Sequence, residues 1–225
     1  MTASSQSARS QTLDRGVWLL ELLAASARPQ TIAQLVEATG LHRSIVYRLL
    51  RTLEDRRLVS RDLGDTYRLG YGLVALTSGL VHDMSAVATH DLQLLADETD
   101  LASFIVVREG DEAMTLLVVE PASPGGMFSL KIGYRHKVNM GAPGMALLAF
   151  TPPAPDDPEA LRHVREHGWA TSTGEVMNGV HSVAAPLRGY RCAAAVAVTY
   201  MGERDIEALA PLVITTAERI SRRFV

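Results

Sequence analysis

The spacing of apolar positions changes along the chain, and each change marks an element. From residue 14 to about 27, Val17, Leu20, Leu23 and Ala24 recur at the spacing of one helical face. Arg28-Pro29-Gln30 interrupts the pattern. Ile32, Leu35, Val36 and Thr39 resume it behind Thr31, a natural N-cap, and Gln34 three residues on completes a capping box. Gly40 stops this helix, because glycine takes the left-handed conformation without steric cost. A third helix starts near His42 and buries Val46, Leu49, Leu50 and Leu53, with Leu41 in the corner between the two. Short runs at 58–61 and 66–69, around the turn chemistry of Asp62-Leu63-Gly64-Asp65, predict a two-stranded ribbon.

Residues 71–84 keep Leu73, Leu76, Leu80 and Met84 at helical spacing and predict a connector helix, although its glycines weaken it. Val87, Leu92, Leu94 and Leu95 predict a further helix ending near Asp100. Strands are expected at 103–107 and 113–120 around Glu109-Gly110-Asp111, and a shorter one at 127–131. Gly141-Ala142-Pro143-Gly144 leads into a short helix through Leu148. A proline-rich loop at 151–158 precedes a helix at 159–167 that Gly168 ends. Apolar runs at 183–186 and 193–199 read as strands, and an amphipathic helix at 205–222 closes the chain. Strands in pairs, interrupted by helices, argue for an α+β domain on an antiparallel sheet. The expected organisation is a disordered tail at 1–11, a winged helix-turn-helix at 12–70, a linker helix at 71–84 and this α+β domain at 85–225.

Composition adds one asymmetry. The 225 residues carry a net charge of −3, but residues 1–70 hold ten Arg against seven acidic residues, and residues 71–225 hold twelve basic against eighteen acidic ones. Only the N-terminal part is suited to face a polyanion. No apolar run approaches the roughly 20 residues that span a bilayer, and the polar start has no apolar signal core. The expectation is a cytoplasmic protein without a membrane partner. Cys192 is the single cysteine, so no internal disulfide forms. Its apolar neighbours suggest a buried, inert thiol.

The chemistry concentrates on the third helix. Arg43, Ser44, Tyr47, Arg48 and Arg51 share the face opposite its buried stripe. Two helices joined by a tight turn, the second basic, match the DNA-binding helix-turn-helix. A ribbon directly after it is the wing of a winged helix and places Arg61 and Arg68 near phosphates. Arginine reads guanine with two parallel hydrogen bonds, whereas Ser44 and Tyr47 are as suited to phosphates as to bases. One competing pattern is His163-Val164-Arg165-Glu166-His167, which reads H-x-x-E-H. Histidines four apart share a helix face and can bind zinc, so a zinc-dependent hydrolase is the alternative class. No third ligand is identifiable, no nucleophile–base pair stands out, and no catalytic residue, metal or cofactor is assigned. A winged helix used only for protein contacts is the third class.

In combination these segments resemble the isocitrate-lyase-regulator (IclR) family of bacterial transcription factors. The resemblance is carried by Leu13-Asp14-Arg15-Gly16, Ala38-Thr39-Gly40-Leu41, the run from Val46 to Glu54, and Tyr67-Arg68-Leu69-Gly70. Gly141-Ala142-Pro143-Gly144-Met145-Ala146 and Val180-His181-Ser182-Val183-Ala184-Ala185-Pro186 are similar to its glycine-rich segment and the strand near its effector pocket. The resemblance implies a winged helix, a linker helix and a GAF-like sensor domain. It also implies a homodimer or homotetramer on double-stranded operator DNA, modulated by a small-molecule effector. Pro143 and Met145 stand where small and basic residues are usual, Thr171-Ser172-Thr173 where acidic ones are frequent, and Ala197 where serine is.

Effector contacts are therefore expected from Phe104, Met127, Met140, Ala142, Pro143, Ser182, Ala197 and Thr199. Apolar walls with a few hydroxyls suit an apolar or aromatic metabolite. A buried carboxylate without donors is strongly disfavoured, although amides at the start of the helix after Gly144 offer one way to hold an anion.

Overall fold

The computed structural model describes residues 10–122 and 130–224, with only the backbone of 78–83. The chain divides into two compact units after Leu80. Of the expected tail, residues 1–9 lie outside the described residues.

The first unit runs α1 (Gln11–Ala25), β1 (Gln30–Thr31), α2 (Ile32–Thr39), α3 (Arg43–Asp55), β2 (Val59–Arg61) and β3 (Thr66–Leu69). Helix α1 starts before the predicted boundary, because the Ser10 hydroxyl caps it by accepting from the Leu13 N–H. Its buried face is Gly16, Leu19 and Leu23, a rotation away from the predicted stripe, and Val17 remains 45% exposed. Gly16 faces α3, where a Cβ in its place would make an ordinary contact with Leu49 at 3.9 Å, and Leu19 and Leu23 pack into the same core. Helix α2 carries the complete Thr31–Gln34 capping box and ends at Gly40 with φ 64°. Leu35, Val46, Leu49, Leu50, Val59 and Tyr67 close a small core beneath α1, α2 and α3.

The wing strands β2 and β3 pair antiparallel, and β1 adds to the other side of β3 through Gln30↔Tyr67 and Thr31↔Thr66. A two-residue strand is too short to show alternation, so β1 was not legible in the pattern. After β3 the chain crosses the backbone of Arg57 closely. A Cβ on Gly70 or Gly72 would fall 2.3 or 2.6 Å from the Arg57 carbonyl oxygen, so both positions exclude a side chain.

The boundary between the units falls inside α4 (Gly72–Thr99), a single helix of 28 residues where the pattern predicted two. Neither a proline nor a stop signal breaks it near 85. In the second unit Met84, Ala88, Leu92, Leu95 and Ala96 bury one side of α4, which offsets the roughly 1 kcal/mol that its one interior glycine, Gly79, costs.

The second unit continues with β4 (Ala102–Glu109), β5 (Glu112–Val119), β6 (Arg135–Lys137), α5 (Gly141–Leu148), α6 (Glu159–His167), β7 (Ala170–Thr173), β8 (Val180–Leu187), β9 (Ala194–Met201) and α7 (Ile206–Ser221). The strands form one antiparallel sheet in the order β6-β5-β4-β9-β8-β7. Residues 127–129 of the predicted strand at 127–131 lie outside the described residues, and 130–131 are not in a strand. The edge strand is β6 instead, whose residues Arg135, His136 and Lys137 carry no apolar signal.

Alternation gives the sheet two covered faces. Ile105, Val107, Val196 and Val198 pack with α4 and α7. Phe104, Val106, Ala195 and Ala197 pack with α5 and α6. On the first face Asp91 of α4 is 2% exposed and lies 3.5 Å from Arg219 and 2.9 Å from Arg223. The Arg223 contact is an ion pair without the alignment of a hydrogen bond. Cys192 is exposed, contrary to expectation, because the apolar run enters the sheet only at Ala194.

Candidate functional site

Two places collect the residues that the sequence singles out, one in each unit. In the first unit, burial of Val46, Leu49 and Leu50 fixes the rotation of α3 and leaves Arg43, Ser44, Tyr47, Arg48 and Arg51 exposed. The helix is capped by a histidine. His42 Nδ1 accepts from the Ser44 N–H at 3.3 Å and lies 2.8 Å from the Ser44 hydroxyl. Arg43, Ser44, Tyr47 and Arg48 line an open concavity of about 760 Å³, and Arg61, Gly64 and Asp65 line it from the wing. Thr31 and His42, which sequence reasoning did not select, also line it. Arg51 and Arg68 are exposed but do not line it. Arg68 donates from Nε to the Ser60 hydroxyl at 3.3 Å.

The wing turn is built by Asp62. Its Oδ1 accepts from the N–H groups of Gly64 and Thr66, both at 3.0 Å, and its Oδ2 accepts from the Thr66 hydroxyl at 2.7 Å. These bonds, the Thr66 hydroxyl first, hold the Asp62 carboxyl below the usual carboxylate range. Asp65 then takes φ 57° and meets Arg61, Nη2 to Oδ1, at 2.6 Å. The Arg61 guanidinium also lies 5.8 Å from the centre of the Tyr67 ring. Tyr67, and then Asp65, raise the Arg61 guanidinium above its usual value.

In the second unit a small cavity of about 40 Å³ opens against the sheet face that carries α5. Phe104, Thr115, Ser182 and Thr199 line it from the sheet, and Pro143 from α5. Leu130, Tyr134, His136, Val176, Met177 and Val180 complete the walls. Thr199 donates its hydroxyl to the His181 carbonyl at 2.9 Å and lies 3.4 Å from the Ser182 hydroxyl. Burial pushes the His136 imidazole below the ordinary histidine value, which favours the neutral ring. Glu175 Oε2 accepts from the Gly141 N–H, and the Ser172 hydroxyl accepts from the Ala142 N–H, both at 2.8 Å. The first amides of α5 are thus already taken. Gly141 has φ 74°, and a Cβ there would fall 2.7 Å from Val176, so the 174–179 turn sits directly on the start of α5.

Of the residues expected at the effector, Phe104, Pro143, Ser182 and Thr199 come together here. Ala142 and Ala197 are fully buried in the adjoining core and Met140 is the N-cap position of α5, so none of the three lines the cavity. Met127 lies outside the described residues. Thr115, Leu130, Tyr134, His136, Val176, Met177 and Val180 were missed. Tyr134 and His136 alternate about Arg135, and that period of two was the available signal.

His163 and His167 stack at 4.3 Å between ring centres, and His163 meets Trp169 edge-on at 4.9 Å. Among the described residues no three His, Cys, Asp or Glu converge to hold a metal ion. The pair packs with Trp169 as an aromatic cluster.

Residues 12–63 match the family model described as the IclR helix-turn-helix domain, and residues 154–222 match the bacterial transcriptional regulator IclR C-terminal model. HTH-type transcriptional regulator Rv1719 of Mycobacterium tuberculosis is 31% identical over 218 residues, covering 84% of this chain and 82% of that one. The chain belongs to the IclR family. A second relative, HTH-type transcriptional regulator KipR of Bacillus subtilis, is 30% identical over 126 residues, 54% of this chain and 49% of that protein. The fold is shared with an IclR homologue from Microbacterium hydrocarbonoxydans solved in complex with 4-hydroxybenzoate, at TM-score 0.81 and 20% identity, covering 95% of this chain and 98% of that one. This IclR-family regulator thus pairs an N-terminal helix-turn-helix with a C-terminal effector-binding domain on a mixed α+β architecture. Among its described residues no helix is long and apolar enough to cross a membrane.

Proposed function

We propose that this IclR-family regulator binds operator DNA in the cytoplasm through α3 and its wing, and that a small, largely apolar ligand in the effector cavity modulates that binding. It acts without catalysing a reaction. One observation carries the DNA reading: Arg43, Ser44, Tyr47 and Arg48 of α3 face the same concavity as Arg61 of the wing. In this reading α3 enters the major groove, Arg43 and Arg48 read bases, and Arg51, Arg61 and Arg68 meet phosphates. A homodimer or homotetramer is supported by apolar side chains left exposed in the first unit. Leu13, Val17 and Trp18 of α1 are 67%, 45% and 38% exposed, and Tyr71, Val74 and Leu76 are 89%, 64% and 64% exposed.

For the ligand, the cavity walls are apolar apart from a few hydroxyls and an imidazole disfavoured as a cation, and the Gly141 and Ala142 N–H groups of α5 are already bonded to Glu175 and Ser172. Among the described lining residues a small acid finds no cationic side chain. The Microbacterium homologue's complex with 4-hydroxybenzoate, itself a carboxylate, supports the aromatic ring alone and not its neutrality. The present 40 Å³ is too small for a ring, since an engineered cavity that takes benzene measures about 150 Å³. Binding therefore includes outward movement of the 174–179 turn.

A thermal-shift screen that compares benzyl alcohol and benzamide with pyruvate and glyoxylate tests the ligand reading. A ligand at 100 times its Kd adds about 2.7 kcal/mol of stability. Stabilisation by the neutral aromatics supports the reading. Stabilisation by the short acids alone rejects it. Failure to bind any duplex at low salt would instead favour a protein-contact module.

A further inference from the structure

Among the groups that line the DNA-facing concavity, Asp65 has the wrong sign. It lines the same surface as Arg43, Arg48 and Arg61, where a phosphate backbone would bring further negative charge. Its position is set by the fold. Asp62 ties Gly64 and Thr66 into a turn through three hydrogen bonds, and the backbone of Asp65 between them is left-handed at φ 57°. That turn holds the Asp65 carboxylate 2.6 Å from Arg61. Asp62 spends its own carboxylate oxygens within the turn, whereas Asp65 is turned onto Arg61, the cation that lines the concavity from the wing.

We propose that Asp65 restrains and neutralises Arg61, and so lowers the sequence-independent affinity of the wing for DNA. The inference rests on the reading of α3 and the wing as the DNA face. The side chains of Arg61 and Asp65 are 38% and 75% exposed, and an ion pair this exposed is weak in the free protein. Its effect appears on docking. A phosphate that approaches Arg61 meets the Asp65 carboxylate as well, and water that screens the repulsion leaves the interface. Arg61 then contributes little to counterion release. Arg68, which donates to the neutral Ser60 hydroxyl, contributes more.

The test is Asp65→Asn in the full chain. Asparagine keeps the tolerance for the left-handed conformation and leaves the three Asp62 bonds untouched, and an unchanged thermal midpoint verifies the fold. Affinity for a labelled random-sequence duplex is measured by fluorescence anisotropy over a salt series. Recovery of one phosphate contact steepens the plot of log affinity against log salt by about 0.9, so affinity falls by a further factor of about 3.5 between 50 and 200 mM. D65N is expected to bind more tightly than wild type at the low-salt end, with that steeper slope. The gain is expected to shrink or vanish when the same change is made in the R61A background, because Asp65 acts through Arg61. Equal affinity and slope for wild type and D65N overturn the proposal. So does a gain that survives undiminished in R61A. If wild type and D65N both fail to bind the duplex at low salt, the DNA-face reading fails first, and the proposal with it.

Discussion

The hydroxyl of Ser103 in β4 donates to the backbone carbonyl of Leu92 in α4 at 2.8 Å, and Ser103 is fully buried. The next residue, Phe104, points to the opposite face of the sheet and lines the cavity beside α5. One strand thus holds the cavity wall on one side and an anchor of α4 on the other. Ser103→Ala should lower stability by about 0.5–1.5 kcal/mol, the worth of one such bond. Urea unfolding with an unchanged m-value would verify a loss of this size.

Asp91 anchors α4 a second time, to α7. It is 2% exposed, but Arg219 and Arg223 keep 41% and 45% of their side-chain surface in water. Breaking a fully buried pair costs about 3–5 kcal/mol. Solvent screening of the arginines reduces this, so Asp91→Ala should cost roughly 1–3 kcal/mol. The midpoint of urea unfolding measures it. A loss below that of Ser103→Ala would show that the ion pairs contribute little.

On the DNA face, Arg43→Ala or Arg48→Ala should reduce operator affinity by about 1–3 kcal/mol and change base preference. Arg68→Ala should weaken binding to all duplexes alike and flatten the salt slope by roughly 0.9. If Arg68→Ala alters base preference and the α3 changes do not, the roles of helix and wing are reversed.

His136 gives the effector-binding unit a pH dependence. Its folded-state value lies below the ordinary 6.5 because burial disfavours the charged ring. The unfolded chain therefore binds a proton that the folded chain resists. This contribution to stability is fully present above about pH 6.5 and is lost as the pH falls toward the depressed folded value. Replacing His136 by Gln should flatten this fall. Urea midpoints at about pH 7.5 and about pH 5 compare the two proteins.

Much of the first unit was legible because its signals are local. The Thr31–Gln34 box, Gly40 and the apolar stripe of α3 each act within a few residues. The rotation of α1 was not, because Val17 and Leu19 both fit a helical face, and the choice between them is made by packing against residues of other elements such as Leu49. The strand β6 was missed because its three residues are polar and its place is set by pairing with β5. At the cavity, Pro143 and Ser182 were legible through the glycine-rich segment and the strand near it. Val176 and Met177 were not, because they arrive on a turn whose position depends on Glu175 and Gly141, 34 residues apart. The Arg61–Asp65 pair was hidden for a related reason. The two lie at spacing 4, but they meet across a turn that Asp62 shapes and no helix is involved.

Selection of binding sites from a random-sequence duplex pool by the full chain tests the central claim most directly, because the protein itself chooses the operator. Wild type should enrich a sequence with two-fold-related half-sites about one helical turn apart, about 34–36 Å centre to centre, or a multiple of it. Arg48→Ala should lose or relax specific positions within each half. A pool that remains random after selection by a folded wild-type protein would contradict the account.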